Sequence, residues 1–445
     1  MPMENKNLSG ATLRPYLETI LAGNRFDNDL ATLSHFLSTK GSEAGKFYGS
    51  ILERHGIDIS CLPKADDYLS EFVRYKPVGN RFTFIDLFAG IGGFRMAFQN
   101  AGGNCVFTSE WDNSAQLTYS TNYGEFPFGD ITKIEPSDIP DFDILAGGFP
   151  CQPFSTIGRR EGFAHKTQGT MFFHIARIID AKRPKAFLLE NVPGLISHDD
   201  GKTLATITSV LTDELGYEVK TKVLNAADFG VPQERKRLYF VGFRKDLGIS
   251  DFEFPENPHN RVGIGKFIER DAEGPSISER FQKEYLFKKD DGRPQIVDSS
   301  SDFPIKTLLA TYYKIQRLTG TFVRGGKTGL RLFTEGECKA IQGFPRDFKV
   351  PVSRTQMYHQ FGNAVAVPVV SAIASAITQS LFEHETQENR PFHKKMASLD
   401  GAISYLRMAM ETYPGSRATI EEINEDIWKY RITVEKMQTD QTDRI

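Results

Sequence analysis

Apolar residues along this chain follow different spacings in different stretches, and each spacing predicts a different kind of element. Between Asn7 and Val73 they recur at three and four, as in LRPYLETILAG and DLATLSHFLST, which predicts helices. From Phe82 the pattern changes to short apolar runs ended by turn or charged residues: TFIDLF before AGIGGF, NCVFTSE before Trp111, FDILAGG before FPCQPFS, and PKAFLLEN before VPGL. Runs of that length predict buried strands. The helical patterns between them, through Gln99 and over Thr170–Ala181, suit the crossovers of a mostly parallel sheet in an α/β fold. Gly248–Gly329 loses both periods and is richer in polar residues and turns. LRLFTEGECKAIQGFP returns to a helical pattern, and MYHQFGNAVAVPVVSAIASAITQSLF predicts a turn followed by a long apolar helix. Two weaker helical patterns, SLDGAISYLRMAMETY and IEEINEDIWKYRITVEKM, lie in the tail.

Composition narrows the class. The 445 residues are 40% apolar and 25% charged, as in ordinary globular proteins. No uninterrupted apolar run reaches about 18 residues, so no membrane span is expected. MPMENKNLSG lacks the basic flank and apolar stretch of a secretory signal. Cys61, Cys105, Cys151 and Cys338 are scattered without a CxxC pair, which argues against a zinc site or a disulfide framework. A net charge of −3 argues against a polybasic coat but leaves room for a local basic cleft. Tyr75–Asn80, with Pro77 and Gly79, reads as a linker. The helices before it are either a packing or oligomerisation module or a DNA-binding module, although no helix-turn-helix signature is present.

Candidate chemistry gathers at the ends of the predicted strands, where ligands collect in open α/β sheets. Cys151 stands between Pro150 and Pro153, just after Gly147 and Gly148. The prolines stiffen that loop, so Cys151 is either a directed nucleophile or a small buried apolar residue. Gly90, Gly92 and Gly93 make a glycine-rich turn whose spacing is not the dinucleotide GxGxxG. Glu110 suits the two hydroxyls of a ribose. Trp111 either lies against an adenine or packs in the core. Asp130 either accepts from an adenine amino group or caps a turn. Glu190 follows an apolar run, so it is either a carboxyl with a raised pKa or a solvated residue past the strand. Gln233, Arg235 and Arg237 alternate, which puts the two arginines on one face as an anion clamp or as an ordinary strand surface. KTLLATYYKIQRLTGTFVRGGKTG interleaves basic and aromatic residues with glycines, which suits a nucleic-acid groove or a surface insertion.

Taken in order, DLFAGIGGFR, SEWD, GDI, GGFPCQPFS, LLENV, QERKR and QFGNAVAVPV resemble the motifs of the cytosine carbon-5 DNA methyltransferases, most closely the bacterial restriction–modification or orphan type. The resemblance covers roughly two-thirds of the chain, from Phe82 to about Phe382. It implies a Rossmann-like, mostly parallel sheet that binds S-adenosylmethionine, with a smaller target-recognition domain and an N-terminal all-α extension. The implied segments are residues 1–78 as the helical extension, 82–247 as the catalytic domain, 248–329 as the target-recognition domain, 330–385 as the return to the catalytic domain, and 386–445 as a helical tail.

The roles that follow are those the resemblance implies. Cys151 matches the nucleophile, Glu190 the carboxyl at ring nitrogen 3, Arg237 a contact to the flipped base and Arg235 its partner. Phe88, Gly90, Gly92, Glu110, Trp111, Asp130, Pro150, Met171, Asn363 and Val365 fall at cofactor-lining positions, with Asn363 in a turn. Ala364 stands where some relatives carry serine. Gln152, Ser155, Gln233, Thr307 and Arg324 are expected on DNA, with base reading between Thr307 and Arg324. No metal is implied. The expected protein is a cytoplasmic monomer, bacterial or phage-encoded, acting on double-stranded DNA beside a possible cognate restriction endonuclease. Two alternatives stand beside this one: a tRNA cytosine-5 methyltransferase, expected to have a shorter recognition region, and a DNA-binding transcriptional regulator working through the N-terminal helices.

Overall fold

The computed structural model describes residues 29–62, 73–150, 171–256, 261–270, 272–389, 392–396, 416–422 and 430–436. The chain divides into two compact units, 1–377 and 378–445.

The first unit is built on a six-stranded sheet in the order β2-β1-β3-β4-β7-β5. Its strands are β1 (Phe82–Leu87), β2 (Gly103–Ser109), β3 (Ile144–Gly148), β4 (Ala186–Asn191), β5 (Tyr217–Asn225) and β7 (Lys236–Arg244), with the two-residue β6 (Gln233–Glu234) just before β7. The β1–β2, β1–β3 and β3–β4 pairs are parallel, and β7 runs antiparallel between β4 and β5. Sheet residues such as Phe84, Ile85, Ile144, Leu145, Phe187 and Leu188 are completely buried. That burial explains why the strands read as unbroken apolar runs, since a sheet covered on both faces has no polar side. The crossovers are α3 (Gly93–Asn100), α4 (Asn113–Tyr123) and α5 (Met171–Lys182).

Two helices precede the sheet, α1 (Asp29–Thr39) and α2 (Glu43–Arg54). They share a core with it: Leu33, Phe36, Leu37, Tyr48 and Leu52 belong to the same apolar cluster as Val106, Phe107 and Phe128. LRPYLETILAG lies outside the described residues. The expected linker is tied down instead: Tyr75 Oη donates to Asp347 at 2.7 Å, and Gln99 Nε2 donates to the Tyr75 carbonyl at 2.5 Å.

Residues 248–329 lie in the first unit. Their β8 (Gln295–Val297) and β10 (Thr321–Arg324) join β11 (Leu330–Arg331) in a three-stranded sheet, while β9 (Ile305–Lys306) pairs with β6. After α6 (Lys202–Ser209), which precedes β5, and α7 (Glu335–Gln342) come α8 (Arg354–Asn363) and α9 (Val367–Asn389). The stretch Arg354–Phe382 is apolar and long enough to cross a membrane, although polar residues interrupt its apolar runs. Its Met357, Tyr358, Phe361, Val370, Ile373 and Ile377 are buried, the pattern of a core helix.

The tail corrects an expectation. Where IEEINEDIWKYRITVEKM reads as helix, β13 (Ser416–Glu422) takes in Ile420–Glu422, and Tyr430–Lys436 is strand β14. With β12 (Phe392–Met396) they form an antiparallel sheet in the order β12-β14-β13. Tyr430, Ile432 and Val434 alternate with polar residues, and this period of two in β-branched and aromatic residues outweighed a weak helical pattern. SLDGAISYLRMAMETY lies outside the described residues.

One buried ion pair crosses this architecture. Arg95 of α3 and Glu125 after α4 are almost wholly buried, 2.5 Å apart, with His35 Nε2 3.7 Å from the same carboxylate. Burial alone would raise the Glu125 pKa, but Arg95 and His35 outweigh it and hold it below the usual range. Burial holds His35 below its usual value. Glu125→Gln leaves Arg95 buried and uncompensated and is expected to cost about 3–5 kcal/mol in denaturant unfolding at pH 7. Both folded pKa values are depressed, so the unfolded chain binds more protons on acidification. Stability is therefore fully present above the ordinary values of 6.5 and 4.5 and falls as pH drops through that range toward the folded values. Unfolding midpoints that stay flat between pH 7 and 4 would contradict this.

Candidate active site

The site is assembled at the C-terminal ends of β1, β2, β3 and β4. Parallel pairing sets Gly148 of β3 beside Glu190 of β4. A Cβ at Gly148 would stand 3.1 Å from Glu190 Oε2, so the glycine leaves room for the carboxyl. Arg237 Nε donates to Glu190 Oε1 at 2.8 Å, and both side chains are largely buried. Burial raises the Glu190 pKa; Arg237 first and Arg235 second pull it back, and the net direction remains upward. The carboxyl therefore holds a proton closer to neutrality than an ordinary glutamate does, beside a guanidinium that fixes its orientation.

Cys151, Gln152 and Ser155 lie outside the described residues. The chain leading to them is positioned by a residue the sequence reading left without a role. Asn191 is buried at the end of β4, and its Nδ2 donates 3.0 Å to the Phe149 carbonyl, two residues before Cys151. Its Oδ1 accepts from the Val192 amide at 2.8 Å. The only sequence signal was a polar residue at the end of an apolar run. The other cysteines with described side chains, Cys105 and Cys338, are buried in the core. Burial pushes the Cys105 thiol up to about 12 and Cys338 in the same direction, so both are poor nucleophiles.

On the other side of β3, the glycine-rich turn joins β1 to α3. Phe88 and Gly90 adopt φ of 55° and 54°, and Gly92 adopts 84°. Nothing lies within 4 Å of where a Gly90 Cβ would stand, so the turn faces open space. At Gly92 a Cβ would fall 2.3 Å from the Tyr123 ring, which only glycine avoids. Glu110, past the end of β2, accepts from the Gly90 amide at 2.8 Å and from the Asp112 amide at 2.8 Å. Trp111 is 78% exposed, which excludes the core-packing alternative and leaves its indole as a free face. Asp130 is not at a strand end. It caps a short 3-10 turn by accepting from the Thr132 amide at 3.0 Å, just after Phe128 bridges Ser109. Met171 is the first residue of α5, and Val365 lies against the start of α3, 2.6 Å from where a Gly93 Cβ would be. Asn363 is the last residue of α8 rather than part of a free turn. Pro150 is exposed at the mouth of the loop. An open glycine turn, a carboxylate and an exposed indole suit a nucleoside with a flexible polar arm.

The alternating motif serves different ends at each position. Gln233 is completely buried. It accepts from the Leu308 amide at 3.0 Å and donates to the Ile341 carbonyl at 2.9 Å and to Gln342 Oε1 at 3.0 Å. Its expected DNA contact is thereby corrected: both ends of the amide are taken up by the protein. Thr307 is half-buried, and its hydroxyl donates to the Glu234 carbonyl at 2.6 Å, which leaves the hydroxyl oxygen able to accept. Arg235 is buried and donates to the carbonyls of Leu308 at 3.3 Å and Gly362 at 3.1 Å, while its Nε has no partner. Burial lowers its pKa to about 9. The two arginines are therefore not a free anion clamp: Arg235 ties backbones together and Arg237 faces Glu190. Arg324 at the end of β10 remains 71% exposed, 3.6 Å from Asp298.

The same residues fall within a matched family. The model of the C-5 cytosine-specific DNA methylases matches residues 82–379. The Type II methyltransferase M.BsuFI of Bacillus subtilis is 57% identical over 310 residues, which is 69% of this chain and 75% of that protein. The Type II methyltransferase M.MspI of a Moraxella species is 58% identical over 300 residues, 67% of this chain and 71% of that protein. Among solved structures, the S. pombe Dnmt2 methyltransferase matches with a TM-score of 0.54 at 21% identity, covering 68% of this chain and all of that one, a likeness of fold.

Two substitutions test the geometry. Asn191→Ala frees the Phe149 carbonyl, and a displacement of about 1 Å in the following loop is expected to lower kcat roughly 100-fold with the fold intact by circular dichroism. Arg237→Met removes the largest influence that lowers the Glu190 pKa, so the Glu190 carboxyl, followed by carbon-13 NMR, is expected to titrate at higher pH than in the parent chain. A shift to lower pH would refute the pairing.

Proposed function

The chain belongs to the C-5 cytosine-specific DNA methylases and is a DNA (cytosine-5-)-methyltransferase; on that premise we propose that it transfers a methyl group from S-adenosylmethionine to carbon 5 of a flipped-out cytosine in one short duplex sequence. The observation that carries this reading is the Glu190–Arg237 pair at 2.8 Å, beside the strand that leads into Cys151.

Each residue then has a chemical task. Carbon 5 of cytosine is a weak nucleophile, and the stacked base is out of reach, so the target must leave the helix. The Cys151 thiolate adds to carbon 6, forming a carbon–sulfur bond and pushing charge onto ring nitrogen 3. Glu190, which burial favours in its protonated form, donates a proton there. Arg237 holds Glu190 in place and contacts the base. Asn191 fixes the approach to the nucleophile by holding the Phe149 carbonyl. When bound, S-adenosylmethionine supplies an already activated methyl group on a sulfonium. Glu110, Trp111 and Asp130 would hold its nucleoside part, and the turn from Phe88 to Gly92, with Asn363 and Val365, its methionine part. After transfer, a base or water removes the proton from carbon 5, the carbon–sulfur bond breaks to release the Cys151 thiolate, and the proton on ring nitrogen 3 returns to Glu190.

Gln152, Ser155 and Arg324 are proposed to meet the DNA. The Type II names of the relatives support a cognate endonuclease acting on the same site in the bacterial cytoplasm. A monomer suits the reading, since an asymmetric duplex cleft needs no symmetry partner.

Bisulfite sequencing of plasmid from cells expressing the chain is expected to show protected cytosines in one short motif. Uniform conversion despite soluble, cofactor-binding protein would overturn the DNA assignment. Cys151→Ser is expected to abolish turnover while sparing DNA binding in a filter assay; parental rates in that variant would overturn the nucleophile.

A further inference from the structure

The matched family model begins at residue 82, yet helices α1 and α2 are joined by specific bonds to the segment that carries the nucleoside end of the cofactor site. Ser34 is 1% exposed. Its hydroxyl accepts from the Phe126 amide at 3.0 Å and donates to the Ala31 carbonyl at 3.0 Å. His35 Nδ1 donates to the Ala31 carbonyl at 2.8 Å, and its Nε2 faces the Thr108 hydroxyl of β2 at 3.4 Å. Tyr48 of α2 donates to the Val106 carbonyl of β2 at 2.7 Å. The Phe128 ring is packed among Phe107 at 4.7 Å, His35 at 5.2 Å and Tyr48 at 6.2 Å between centroids.

The braced segment leads directly into the site. The Phe128 amide donates to the Thr108 carbonyl at 2.9 Å, and the Glu110 amide donates to the Phe128 carbonyl at 2.8 Å. Asp130 follows two residues later. Segment 125–130 is thus clasped between α1 and β2, and both Glu110 and Asp130 take their positions from it.

The geometry points to Ser34, His35 and Tyr48 as positioning residues for cofactor binding: the N-terminal helices are a buttress of the nucleoside pocket, built into the catalytic unit. This rests on the proposed cofactor roles of Glu110 and Asp130. It also distinguishes the helices from a detachable regulatory module, which would share no hydrogen bonds with the pocket wall.

The test uses the full chain and compares steady-state constants for cofactor and for DNA. Ser34→Ala removes the bond that fixes the half-buried Phe126 amide to α1, and the expected result is a rise of about tenfold in the KM for S-adenosylmethionine. The kcat and the KM for DNA should stay within about twofold, the split expected of a residue that acts through ground-state binding. Ser34→Thr, which keeps the hydroxyl, should restore the parental value. Lys40→Met serves as a control, because it cuts bonds from the same helices to the Ile59 and Leu62 carbonyls without touching segment 125–130. It should lower the thermal midpoint without changing the KM for cofactor. If Ser34→Ala does not fold, Tyr48→Phe carries the same expectation. A parental cofactor KM in the folded variant, an equal loss for DNA and cofactor, or the same loss in Lys40→Met would each overturn the proposal. Asp130→Ala separates the premise: an unchanged affinity for S-adenosylhomocysteine in that variant would remove the cofactor reading itself.

Discussion

The constraint that organises the catalytic half is a carboxyl kept largely out of water at the end of a strand. In the proposed role, Glu190 must be dry enough to hold a proton and still be held in one orientation. Burial alone would give a neutral acid of uncertain direction, and a close arginine alone would give a permanent carboxylate. The structure combines them: burial exceeds the opposing pull of Arg237 and Arg235, while the 2.8 Å contact fixes the orientation. Parallel pairing then sets this carboxyl beside Gly148, at the end of the strand that precedes Cys151, the proposed nucleophile. Small errors in that register would be expensive, since catalytic geometry tolerates little displacement.

A second polar assembly holds residues 307–310 to this sheet. Gln233 and Arg235 stand at the entry to β7, and between them they bind the backbone of Leu308 through both its amide and its carbonyl. Gln233 also reaches α7, and Gln342 continues the chain of bonds to the Phe361 carbonyl at 2.5 Å, beside Gly362, which Arg235 also holds. Four stretches distant in sequence therefore share one buried joint: 233–235, 308, 341–342 and 361–362. Gly362 belongs to it sterically as well, since a Cβ there would fall 2.1 Å from the Ala310 amide nitrogen. Residues 307–310 are thereby held to the strand that carries Arg237 through direct bonds rather than through loose packing.

The sequence made the sheet legible because strands buried on both faces leave unbroken apolar runs, and because motif residues stand where those runs end. Glu190, Glu110 and the glycine turn could be placed on that basis. Gln233 was misassigned because a polar side chain in a motif looks the same whether it faces DNA or satisfies buried backbone; only the three-dimensional partners tell the two apart. Asn191 and Gln342 were passed over for the same reason. In the tail, short strands with charged residues between apolar ones resemble a poor helix, and only pairing with a neighbour resolves the ambiguity.

The Arg95–Glu125 pair shows why the N-terminal helices belong with the cofactor half. A buried ion pair is a weak source of stability, because desolvation offsets most of the attraction. Its value lies in geometry: neither charge tolerates separation from the other. Arg95 sits in the first turn of α3, directly after the glycine turn, and Glu125 opens the segment that reaches Asp130. The pair therefore ties the turn proposed for the methionine part to the segment proposed for the nucleoside. His35 stands 3.7 Å from the same carboxylate, and Ser34 bonds the amide of the next residue. Placing α1 over this pair keeps water from it, and the low dielectric that results makes the pairing stricter. A helix outside the matched motifs thus packs against the pair that ties together two segments proposed for the cofactor.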